Sequence, residues 1–181
     1  SLANGGTASN IGASTNAQSN LVIGGGTFKY TGSDVSINRG FTITAGSTAT
    51  FNISNSASTL LISGGAAYTT GVLIKTGAGR LTLTNDNRYT GSTTVSAGTL
   101  KIGNSPGTLG GSSAGVYAGN ISIASGATFQ MDSTDNQMLT GVISGAGNLV
   151  QSGSGSTTLA GNNTYTGSTY VSGGTLLLNV G

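Results

Sequence analysis

The sequence predicts an all-β protein, a single-stranded parallel β-helix in which the chain coils, its turns stack, and no helix forms. Three observations carry this expectation. Residues 76–100, TGAGRLTLTNDNRYTGSTTVSAGTL, return at 152–176 as SGSGSTTLAGNNTYTGSTYVSGGTL at a constant offset of 76 residues. A structural unit recurs in this way because each copy stacks on something like itself. Short β-branched segments alternate apolar with polar residues, and Gly, Asn or Ser closes nearly every one. Only 6% of residues are charged, against roughly 25% in a typical soluble domain, so hydroxyls and amides must solvate the surface.

Taken along the chain, residues 1–26 form a Gly- and Asn-rich leader with one apolar triplet, LVI, at 21–23. A first long unit spans 27–103, with candidate strands at 41–44, 50–53, 60–62, 72–75, 80–84, 93–96 and 99–102. A second spans 104–181. It opens with a loop at 104–118 that holds the single proline, and its candidate strands are 121–124, 128–131, 141–143, 148–151, 156–160, 169–172 and 175–178. The segment RGFTITAGSTATFNI at 39–53 is echoed by GNISIASGATFQM at 119–131, so the units extend beyond the strong copies. All 181 residues are expected to form one continuous β-helix. With 20 to 25 residues per coil, about eight coils would make a rod about 40 Å long. A β-sandwich shares the many short strands, but the long period and the scarcity of two-residue hairpin turns disfavour it.

Alternation on a strand sends Leu81 and Leu83 into the bore and Thr82 and Thr84 outward. The same reasoning assigns Val95, Leu100, Ile102, Leu159, Val171, Leu176 and Leu178 to the core. Gly77, Gly79, Gly91 and their counterparts Gly153, Gly155 and Gly167 are assigned to corners, where glycine supplies positive φ. Tyr89 and Tyr165 could serve as sugar-stacking surface platforms, or could cover the end of a rung at a corner.

Several chemistries lose their footing. Cys and His are both absent, which removes disulfides and leaves zinc without its usual ligands. No cofactor or metal is expected. The six basic side chains, Lys29, Arg39, Lys75, Arg80, Arg88 and Lys101, are dispersed, so a net charge of +2 does not track a phosphate backbone, and nucleic acid is not an expected partner. The Gly-Gly-Gly at 24–26 and the Gly-Ala-Gly segments at 77–79 and 145–147 lack the following helix that a phosphate loop needs. Asp132 and Asp135 are the only close acidic pair, and without His or Glu they make a poor acid–base set. An outward threonine array suited to ice is broken, because Thr84 and Thr44 correspond to Ala160 and Ala124.

KTGAGRLTLTNDNRYTGSTTVSAGTLKIG and its echo QSGSGSTTLAGNNTYTGSTYVSGGTLLLNVG resemble the autotransporter-associated β-strand repeat, also called the passenger-associated transport repeat. The family pattern is similar to K-x-G-x-G-x-L-x-L, then N-x-Y-T-G-x-T-x-V-x-x-G-T-L. The second copy departs at Gln151, Ser152 and Thr157. The resemblance implies a right-handed parallel β-helix in the exported passenger of a type V secretion protein. It further implies a bacterial cell-surface location, anchored at the outer membrane through a C-terminal barrel elsewhere in the chain. Implied roles are a non-enzymatic stalk or adhesin scaffold, with links to virulence and to passenger folding during secretion. A host or surface glycan receptor would be the external partner. The alternative is a polysaccharide-binding or polysaccharide-cleaving β-helix.

The chain starts without Met or a signal-like segment and closes inside a repeat, and it reads as a piece of a longer protein. Its last rung is expected to stack on downstream chain or, end to end, on another copy, since unpaired strand edges are templates for strand addition.

Overall fold

The computed structural model describes residues 1–110 and 115–179. Residues 111–114 of the expected loop, and 180–181, lie outside that range. The chain forms a β-solenoid of about seven turns in which every paired strand is parallel to its neighbour. One short 3-10 turn, Gln18–Asn20, precedes it, and the described residues contain no α-helix.

Three faces run along the axis. The first is a six-stranded sheet of β2 (Thr27–Tyr30), β5 (Thr48–Ile53), β7 (Val72–Thr76), β9 (Thr93–Val95), β12 (Ile121–Ile123) and β15 (Ile143–Gly145). The second has seven strands: β3 (Val35–Ile37), β6 (Thr59–Ile62), β8 (Arg80–Asn87), β10 (Thr99–Leu109), β13 (Thr128–Ser133), β16 (Asn148–Gln151) and β18 (Thr169–Val171). The third begins with β1 (Val22–Ile23) and β4 (Thr42–Ile43), and passes through single bridges from Phe41 to Ala66 and from Ala66 to Asn87. It resumes as β11 (Val116–Tyr117), β14 (Gln137–Leu139), β17 (Ser156–Leu159) and β19 (Thr175–Leu178). Part of the expected 104–118 loop is therefore strand, because β10 runs on to Leu109 and pairs Thr108 and Leu109 with Asp86 and Asn87.

The alternation in the sequence becomes a bore. In β5 (TATFNI) every second side chain, Ala49, Phe51 and Ile53, is fully buried, and β13 buries Phe129, Met131 and Ser133 in the same way. Equivalent positions stack between turns, Leu60 on Leu81 on Leu100 on Phe129 on Leu149, so one apolar column runs along the second face from β6 to β16. Phe41 and Phe51 meet edge-on at 5.0 Å, a favoured aromatic geometry. Thr82 and Thr84, expected outside, are also buried. Thr82 stands between Leu61 and Lys101 on the flanking strands, whose longer side chains shield its short one.

Asn completes the stack where the ladder lacks a backbone acceptor. Asn120, Asn136 and Asn148 each accept, through Oδ1, the N–H of a residue one turn on: Val142 (2.9 Å), Ser156 (3.1 Å) and Ser168 (3.0 Å). Asp34 does the same for Thr59 at 2.8 Å. The three asparagines thus satisfy the backbone at corners without adding charge, whereas Asp34 does so with a carboxylate.

The leader is ordered around one side chain. Arg39 is 2% exposed and has no carboxylate partner among the described residues. Its Nε donates to Ala3 O (2.9 Å), its Nη1 to Ser14 O and Oγ, and its Nη2 to the carbonyls of Asn4, Thr7 and Gly12. Leu2 packs on the core, and residues 1–2 and 10–11 face β2 across a groove.

Candidate functional site

What recurs in this chain is a joint between turns. In the first copy β7 pairs β9 and β8 pairs β10, and the arc joining β7 to β8 is held by Lys75. Its side chain is fully buried, and Nζ donates to Thr76 O and Gly77 O, both at 2.8 Å, and to Ala97 O of the next arc at 3.1 Å. One ammonium therefore clamps two successive arcs. Burial pushes the Lys75 ammonium down to about 8. Gln151 occupies the same place in the second copy. Its Nε2 donates to Gly153 O (3.0 Å) and Gly155 O (3.1 Å), and its Oε1 accepts from Thr157 Oγ1 at 2.7 Å. The exchange of Lys for Gln and of Leu for Thr is thus a paired change that swaps a charged donor for a neutral one.

The second element of the joint is a chain of hydroxyls. Tyr89 Oη and Thr93 Oγ1 are 2.9 Å apart, and Thr93 Oγ1 lies 2.7 Å from Tyr117 Oη of the following turn. Tyr117 Oη then donates to Gly91 O. The two rings meet edge-on at 5.9 Å, both fully buried. Desolvation pushes both phenols up, Tyr89 further helped by Tyr117 beside it, so they remain neutral donors. Tyr89 is therefore no surface platform, and it points inward because the hydroxyl has a partner in the bore. Tyr165 repeats the first half, with Oη 2.6 Å from Thr169 Oγ1, but is only part-buried.

Glycine sets the spacing between turns. A Cβ on Gly91 would strike Gly71 O and lie 2.6 Å from Thr70 O, and one on Gly167 would strike Gly147 O. Of the six assigned corner glycines only Gly77 has left-handed backbone, with φ +76°. At Gly79, Gly91, Gly153, Gly155 and Gly167 the constraint is the carbonyl of the turn beneath. The left-handed positions Gly98 (φ 66°) and Gly174 (φ 55°) were missed, although each follows a Ser-Ala or Ser-Gly pair before Thr-Leu.

The assigned core residues divide by position. Leu81, Leu83, Val95, Leu100 and Ile102 are fully buried and Leu159 is 5% exposed. Leu176 is part-buried, whereas Val171 (55%) and Leu178 (66%) are exposed, because no described strand lies above β18 or β19. The acidic pair does not work together. Asp132 Oδ2 lies 2.5 Å from Lys101 Nζ, and Oδ1 accepts from Ser152 Oγ at 2.6 Å. The bonds from Lys101 and Ser152 outweigh partial burial and hold its carboxyl below the usual range, the wrong direction for a general acid.

The family profile described as Passenger-associated-transport-repeat matches residues 73–102 and 149–178. The chain carries two passenger-associated-transport-repeats. Over 94 residues, 52% of its length, it is also 50% identical to the Adhesin BmaC autotransporter of Brucella suis biovar 1 (strain 1330). It spans 3% of that relative's length. No solved structure matches it significantly.

The two passenger-associated-transport-repeats do not lie above one another. From β7, three full turns lead through β9 and β12 to β15, and one further strand reaches β16, where the second repeat begins. The first repeat therefore occupies the first and second faces, and the second repeat the second and third. Each keeps its internal pairing, β16 with β18 and β17 with β19. The echo between 39–53 and 119–131 is rotated likewise, since Ile43 lies on the third face and Ile123 on the first.

Proposed function

We propose that this chain is a scaffold segment of an autotransporter passenger, displayed at the bacterial surface and anchored through an outer-membrane barrel elsewhere in the parent protein. Its role is structural and non-enzymatic: a stiff stalk that presents adhesive surface to a host or surface glycan and supports folding of the passenger during secretion. The observation that supports this most directly is the uninterrupted bore. Successive turns bury one continuous apolar column, and the first-repeat side chains Lys75, Tyr89 and Thr93, the last two of which recur as Tyr165 and Thr169, point at neighbouring turns. Residues spent on joining turns do not face a substrate. The likeness to an autotransporter adhesin supports the same reading. Solenoids of this kind grow turn by turn, which suits vectorial folding.

The test is an in-frame deletion of residues 73–178 in the parent protein, read by surface labelling and by adherence to host cells or glycan-coated wells. Loss of surface display together with adherence fits a scaffold. Full display and full adherence would overturn the proposal, as would glycan cleavage by the purified chain that disappears in Asp132→Asn.

A further inference from the structure

We infer that the exposed edge of the second repeat is the receiving half of a tyrosine joint, and that its occupant is a further solenoid turn of the pattern Tyr-x-Gly-x-apolar-x-apolar. This rests on the scaffold reading above. The first repeat shows the joint filled. The turn that covers it supplies Tyr117, whose hydroxyl meets Thr93 Oγ1 and donates to Gly91 O. Two residues on, Gly119 passes over Gly91, where a Cβ would lie 2.5 Å from the Gly91 carbonyl oxygen. Ile121 and Ile123 then pair with Thr93 and Val95, and Phe129 and Met131 with Leu100 and Ile102.

Every receiving group is present in the second repeat. Tyr165 and Thr169 hold the same hydroxyl contact, at 2.6 Å, and Gly167 stands where Gly91 does. Val171 and Leu178, counterparts of Val95 and Ile102, are 55% and 66% exposed where the first-repeat residues are fully buried. A groove of about 610 Å³ lined by Leu159, Asn163, Thr164 and Leu178 opens beside them. The side chains needed to hold another turn are thus in place, polar and apolar, in the register already used once.

The head of a second copy does not fit this edge. Its first turn does carry Tyr30 and Gly32, but Tyr30 Oη donates to Ser33 O at 2.6 Å. Moreover, Val35 and Ile37 follow Gly32 by three and five positions, whereas Ile121 and Ile123 follow Gly119 by two and four. In the joint's register Asp34 and Ser36 would face the bore, because a one-residue slip exchanges the faces of a strand. The occupant is therefore a turn in the spacing of 117–131, placed two residues of tyrosine before glycine and two apolar pairs after it.

The experiment repeats residues 103–139 after Leu178 in the full chain and reads amide hydrogen exchange in Thr169–Val171 and Thr175–Leu178. The added turn should slow exchange there at least about fivefold, and changing its copy of Tyr117 to Phe, or Thr169→Val, should return a measurable part of that gain. A parallel double-mutant cycle of Thr93→Val and Tyr117→Phe in the unextended chain reads the joint where its occupant is native, and should show coupling. Unchanged exchange in the extended chain, Phe and Val variants protected as fully as the parent, or a cycle without coupling would each overturn the inference. So would protection of the same strands in the unextended chain at rising concentration, since the occupant would then be a second copy. Adherence of the parent protein is a separate readout, so the joint and the scaffold reading can fail independently.

Discussion

Lys75 gives the chain a stability that rises with pH. The ammonium is fully buried, meets three carbonyl oxygens at 2.8 to 3.1 Å and contacts no carboxylate among the described residues. Burial lowers it from 10.5 to about 8. Because the folded value lies below the unfolded one, the unfolded chain binds more protons between these limits. Stability is therefore fully present above the unfolded value, is lost as pH falls through the folded one, and is flat below it. At ~1.36 kcal/mol per unit, integration between pH 7 and 9.5 gives a gain of about 2 kcal/mol. The window stops at 9.5 because Tyr89 and Tyr117, raised in the fold, act in the opposite sense once the unfolded phenols ionise near 10. Urea unfolding at half-unit steps, with and without Lys75→Gln, measures the slope. Gln is the donor the second repeat already uses at Gln151, so the variant should fold while losing the pH dependence. A flat profile for the parent chain, or an unchanged slope in Lys75→Gln, would refute the reasoning.

Other substitutions separate position from residue type. Leu83→Ala, in the closed part of the bore, should lower stability by roughly 2 to 5 kcal/mol, whereas Leu178→Ala should lie within about 0.5 kcal/mol of the parent, as exposed changes do; equal effects in urea titration would contradict the burial pattern. Gly91→Ala must push apart the Gly71 carbonyl and its turn and should destabilise strongly, while Gly26→Ala, with nothing within 4 Å and no left-handed φ, should be tolerated. Arg39→Gln cannot reach the carbonyls of residues 3, 4, 7, 12 and 14 together, so limited proteolysis should open the leader first while β7 to β10 stay protected. Simultaneous loss of both would show that the leader and the repeats unfold as one.

The sequence by itself determined the class of fold and the identity of the repeating unit. Alternation in segments such as TATFNI and RLTL leaves one apolar side per strand, and without helix-forming stretches such sides can be buried only by stacking or sandwiching. The 76-residue offset then favoured stacking. What it did not determine was how the unit sits on the axis. Two copies identical in local pairing differ by one face, because the number of residues between them fills three turns and one strand over, a sum fixed by loop lengths that carry no apolar signal. The roles of individual side chains divide in the same way. Glycines at 77 and 91 look alike in sequence, yet one is needed for its own backbone angle and the other for a carbonyl in the turn below. Tyr89, readable as a surface ring, is buried only because Thr93 and Tyr117, the latter 28 residues away, converge on its hydroxyl. Val171 and Leu178 hold the same repeat positions as the buried Val95 and Ile102 and are exposed, since burial belongs to the stack and not to the strand. Local pattern fixes which side of a strand is apolar, and only the neighbouring turn decides whether that side meets protein or water.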